Sequence, residues 1–223
     1  MSGDSALPAG DFSSWIGKVG AAIRDGDESD VPCNGCTACC RSSQFVHIGP
    51  DETGTLAHIP AELLFPAPGR PRGHVVLGYD ERGHCPMLVD DKCSIYEHRP
   101  NACRTYDCRI FAATGLDPDA GRVDLTRRVR QWRFAFADER ARTERDAVKA
   151  AASFLREHAE VLRAAGIPAN ETQIAVVAIE VHDAFLARDE DTGRMTVVEP
   201  DRSFLRAAVM RFGAGGGERD SNR

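Results

Sequence analysis

Residues 33–40 read CNGCTACC, four cysteines within eight positions and the last two adjacent. A packed core has no use for thiols so closely spaced, so this stretch marks a site, and the architecture follows from what the site is. The chain has eight cysteines, Cys33, Cys36, Cys39, Cys40, Cys85, Cys93, Cys103 and Cys108, and none beyond Cys108. Cysteine serving as a small core hydrophobe would be scattered instead. Nothing in the first 30 residues combines a basic segment with an apolar one as a secretory signal does. No apolar run approaches the ~18 residues that span a bilayer. The expected compartment is therefore the cytosol, where thiols stay reduced and clustered cysteines favour metal or redox chemistry over disulfides.

Cys33, Cys36 and Cys39 form C-x2-C-x2-C. A two-residue spacer lets a tight turn aim successive sulfurs, and backbone N–H groups, at one centre. Zinc takes such thiols in pairs. Three in succession with a distant fourth is the pattern of a cubane iron–sulfur cluster. The triplet thus leans towards [4Fe–4S]. Side chains of neighbours diverge in extended backbone, so Cys39 and Cys40 are expected to serve one large cluster or two separate centres rather than one small ion. The downstream set is spaced C-x7-C-x9-C-x4-C, with Pro86 after Cys85 and Arg99, Arg104 and Arg109 nearby to offset thiolate charge.

Working outward, residues 1–10 are small and polar and are expected to be disordered, followed by a short amphipathic helix opening at Asp11 or Ser13. The stretch 45–73 mixes a short strand, a helix near 51–58 and a Pro/Gly-rich loop, and 74–96 reads as β-structure with turns at DERG and DDK. Pro100 is placed to open a helix. From 122 to 165 the chain is rich in Arg, Glu and Ala, and Ala147, Val148, Ala151, Phe154, Leu155, His158, Val161 and Leu162 form a stripe of period 3.6. Asn170 can cap another helix, TVVE at 196–199 is at most a short strand, and Phe204, Leu205, Ala208, Val209 and Phe212 suggest a last helix. The expected class is α+β: a cysteine-rich, metal-stapled module of loops, short hairpins and short helices, followed by a helical module. Its expected divisions are 1–27 (disordered start and short helix), 28–112 (metal-binding domain), 113–212 (helical module) and 213–223 (disordered tail).

The ordered combination CNGCTACC, then CPML, then CSIYEHRPNACRTYDC, resembles the bacterial YkgJ-type or CxxCxxCC family of zinc- or iron-chelating domains. A related cysteine pattern belongs to lysine N-methylases of the FliB type. The resemblance covers about the first half of the chain. It implies a metal or iron–sulfur centre in the matching cysteines, and no settled reaction. The helical half lies outside the recognisable motifs.

All eight cysteines are thus candidate metal ligands, with Arg99, Arg104 and Tyr106 as residues that could contact the cofactor. The expected cofactor is an iron–sulfur cluster, or else Zn, in a redox role or in modifying a peptide or small molecule. The partner would be that substrate or a redox protein. A zinc-stapled structural or metal-delivery protein is the alternative, and whether the chain is an enzyme is left open. His84 and His98 are read as surface or supporting residues more often than ligands. The arginines are as readily salt-bridged to Glu97, Asp107 or Asp90. RRVRQWR (127–133) resembles a nucleic-acid patch, but a net charge of −6 favours a solvated amphipathic helix, so neither nucleic acid nor membrane is expected as partner. The absence of GxGxxG, HExxH, G-x-S-x-G and CxxxCxxC sequences leaves no familiar nucleotide, protease, hydrolase or radical site.

Overall fold

A computed structural model describes residues 5–33 and 35–219, excluding the side chains of Phe204 and of 213–219. The chain divides into two units: Met1–Arg24, Cys108–Asp119 and Val129–Arg223 form a helical unit, and Asp25–Asp107 with Ala120–Arg128 form a cysteine unit. The class is α+β, with the cysteines confined to the first half.

In the helical unit, Asp11 accepts the Ser14 N–H at 3.0 Å and so starts the helix Phe12–Asp25. That helix buries Phe12, Trp15, Ile16 and Val19 on one face. The expected disorder over 1–10 fails for Leu7–Asp11, which is a strand running parallel to Trp132–Ala135, with Leu7 opposite Trp132 and Asp11 opposite Ala135. The composition of LPAGD carries no strand signal because the pairing partner lies far along the chain. The same pairing corrects the reading of RRVRQWR as one helix. Val123–Gln131 is helical, Trp132–Ala135 is the partner strand, and Asp138 caps the next helix by accepting the Ala141 N–H at 2.8 Å.

The helix Glu139–Glu157 sets Ala147, Val148, Ala151 and Leu155 against Glu171–Val181, which buries Ile174, Ala175, Val177 and Ala178. The predicted stripe breaks at His158 (φ −116°, ψ 49°), and Ala159–Ala164 is a separate short helix. Asn170 caps Glu171–Val181 as expected, accepting the Gln173 N–H at 2.9 Å. Leu186–Arg188 pairs antiparallel with Met195–Val197. The last helix, Arg202–Arg219, buries Leu205 and Val209 and runs past the point where the tail was expected to begin; 1–4 and 220–223 lie outside the described residues.

The cysteine unit contains a three-stranded antiparallel sheet with Val75–Leu77 between Val46–Ile48 and Leu64–Pro66. Ile48, Ile59, Leu77, Met87 and Ile95 make its small core, and Cys85 and Cys93 pack against it. The DDK turn closes a two-residue-per-strand hairpin, Leu88–Val89 with Lys92–Cys93, and Asp90 (φ 47°) and Asp91 (φ 59°) both adopt the left-handed conformation such a tight turn demands. Among the described residues no helix is long and apolar enough to cross a membrane.

Candidate metal centre

Three backbone segments bring the thiols together. The first is the loop from Cys33, where the Cys36 N–H donates to the Cys33 carbonyl at 2.7 Å, followed by a 3-10 turn over Cys39–Arg41. Ser42 is fully buried and fixes that turn, its hydroxyl donating to the Ala38 carbonyl at 2.6 Å. The second segment is the Asp80–His84 turn. Asp80 accepts the N–H groups of Arg82 (2.9 Å) and His84 (2.8 Å). Gly83 (φ 78°) lies so close to Ser43 that a side chain there would strike the Ser43 hydroxyl. The turn thereby delivers Cys85, whose N–H donates to the Cys40 carbonyl at 2.7 Å. The third is the hairpin carrying Cys93, tied back by an ion pair between Arg41 and Asp91.

Each of Cys85 and Cys93 accepts a backbone N–H from the residue two further on, Met87 and Ile95 respectively. This knuckle geometry stabilises a thiolate without adding a ligand. Four sulfurs, those of Cys40, Cys85, Cys93 and Cys103, act on one another in every pairing. The Cys103 thiol is pushed up to about 12 by burial and then by the charges of Cys40, Cys85 and Cys93, with Arg99 opposing. By surface area the residue is exposed, so protein surrounds the sulfur on most sides while leaving it a face to solvent. Burial and then its thiol neighbours, against the Met87 N–H, raise Cys85 to about 11.

Cys33 and Cys36 act on each other, and Cys39 feels Cys40, Cys103 and Cys33. Burial chiefly raises Cys33, Cys36 and Asp107 add to it, and Arg99 and Arg128 oppose. Cys39 and Cys40 do not lie in the extended backbone in which neighbouring side chains diverge. In the 3-10 turn their sulfurs instead share a hydrogen bond, which holds the Cys39 proton well above the ordinary range and lowers Cys40 to about 7. Among the described residues no three His, Cys, Asp or Glu side chains stand at the spacing of a ready-made ion site, and none of the eight cysteines is in a disulfide. The seven cysteines of the cysteine unit fit the metals that thiolates select: they are soft donors, gathered in one unit, and two of them are backed by backbone N–H groups.

Cys108 belongs to the helical unit, buried at the start of the helix Arg109–Thr114, with the Trp132 indole N–H donating to its sulfur at 3.3 Å. Arg109 is also there: its guanidinium donates to the Ala9 carbonyl at 3.2 Å and lies 6.0 Å from the Trp15 ring. Arg104 is a clamp within the cysteine unit, ion-paired with Glu28 at 3.0 Å and donating to the carbonyls of Arg99 (2.9 Å) and Glu97 (3.2 Å). Arg99 stacks 4.2 Å over Tyr96, and Tyr106 is half-buried. His98 stacks on His58 with ring centres 3.7 Å apart and planes 9° apart, an arrangement in which both rings cannot aim a lone pair at one ion. No residue pattern announced that stack or the His47–His74 pair, Nε2 to Nδ1 3.0 Å.

Residues 32–119 match the model of the CxxCxxCC family, described as "Putative zinc- or iron-chelating domain". That segment, less than half of the chain, is similar to the domains of this family. No curated protein and no solved structure matches the chain.

Proposed function

We propose that the cysteine unit holds an iron–sulfur centre of the [4Fe–4S] type on Cys40, Cys85, Cys93 and Cys103, with Cys33, Cys36 and Cys39 as a second thiolate group at its edge. The observation that carries this is the gathering of seven cysteines in one unit, three more thiols than one tetrahedral ion can use, with the Cys85 N–H tied to the Cys40 carbonyl at 2.7 Å. Bound there, a cluster supplies one-electron chemistry. The chain supplies the thiolates, the Met87 and Ile95 N–H donors, and the positive charge of Arg99. Its role would be electron transfer, or modification of a peptide or small molecule.

Zinc is the second reading, favoured by the two sulfur knuckles, which suit a tetrahedral thiolate ion. Anaerobic purification followed by iron, sulfide and zinc analysis and an absorption spectrum separates the two. Brown protein with iron and sulfide in comparable amounts supports the cluster. Colourless protein carrying zinc selects the second reading, and protein that takes up neither metal overturns both.

A further inference from the structure

The matched domain ends at residue 119, yet the cysteine unit does not. Ala120–Arg128 returns to it after Cys108–Asp119 has been given to the helical unit. On this returning segment Arg127 pairs with Asp124 at 2.9 Å, whereas the Arg128 guanidinium reaches back to donate to the Pro32 carbonyl at 3.5 Å. Pro32 immediately precedes Cys33 and has no N–H of its own, so its carbonyl is the one backbone hydrogen-bonding group that can anchor this residue. We propose that Arg128 is a positioning residue of the metal site: it ties down the start of the cysteine loop and brings a fixed positive charge to its Cys33 end. The metal centre of this protein then extends beyond the domain that the family pattern defines.

The surroundings agree. The Arg128 guanidinium sits at the Pro32 carbonyl, one residue before Cys33. A guanidinium is suited to the task because it keeps its charge at every accessible pH and can hold a carbonyl at the same time. Arg128 lies on the helix Val123–Gln131, which is anchored by the buried Leu125 and Val129.

This rests on the cysteines binding metal, so the test reads both. Full-length protein, reduced and metal-free, is titrated with Co2+ while the thiolate-to-cobalt absorption is followed, with a chelator of known affinity as competitor. Wild-type protein without that absorption overturns the metal reading itself. With wild type binding, Arg128→Gln is expected to weaken cobalt binding by about tenfold, the scale of one partly screened charge beside thiolates. Arg128→Lys is expected to restore most of the loss, and the wild-type affinity to fall more steeply with added salt than that of Arg128→Gln. A role in folding alone would not produce that salt dependence. Arg127→Gln serves as the control and is expected to bind as wild type. Equal affinity for wild type and Arg128→Gln overturns the proposal, as does a lysine variant no better than the glutamine one, or an Arg127→Gln loss of the same size.

Discussion

At the scale of single residues, the cysteines divide by their neighbours. Cys108 is buried under the Trp132 indole N–H in the helical unit, so Cys108→Ser is expected to keep full metal content and to lose about 1 kcal/mol of stability, as a buried polar contact is altered. Cys85→Ser is expected to lose the centre. Metal analysis beside a thermal melt of each variant checks both outcomes. That the cysteines mark a site was legible from their spacing and their confinement to residues 33–108. The placement of Cys108 in the helical unit was not, since C-x4-C reads the same whether or not the chain leaves the unit between its two cysteines. Nor was the clamp role of Arg104, whose partners are backbone carbonyls that no side-chain pattern announces.

At the scale of elements, the turns carry the site. Gly83→Ala places a side chain against Ser43 and forces a left-handed alanine, so it is expected to destabilise the protein by about 1–2 kcal/mol and to weaken metal binding several-fold by displacing Cys85. Chelator competition on the folded variant measures this. Asp91→Ala breaks the ion pair to Arg41 and puts a less tolerant residue at φ 59°, and is expected to weaken metal binding in the same assay, with Lys92→Ala as the unaffected neighbour. Helices with a strong period, Glu139–Glu157 and Glu171–Val181 among them, were readable from their stripes and caps. The strand Leu7–Asp11 was not. Its identity comes from hydrogen bonds to Trp132–Ala135, and a five-residue segment of small residues holds no local record of that.

At the scale of the molecule, the balance of protons and metal sets stability. The metal-free cysteine unit has Cys85 raised to about 11 and Cys103 to about 12, above the ordinary thiol value of 9.0 in each case. The protonated thiols are therefore favoured by the fold, and their contribution is complete below pH 9 and is lost as pH rises towards 11 and 12. Cys40, lowered to about 7, contributes in the opposite sense, above pH 9, and loses its part as pH falls through 7. Chemical denaturation of metal-free protein from pH 7 to 11 is expected to show falling stability above about pH 9. Loaded protein should fail at the acid end instead, where protons compete with metal for the thiolates.

The pairing of Leu7–Asp11 with Trp132–Ala135 also sets a clock for synthesis. A strand made near the start waits for its partner through about 120 residues, roughly 6–25 s at ribosomal rates of about 5–20 residues per second. All eight cysteines leave the ribosome within that wait. The nascent chain therefore presents its cysteines to any metal before the strand pair of the helical unit can form.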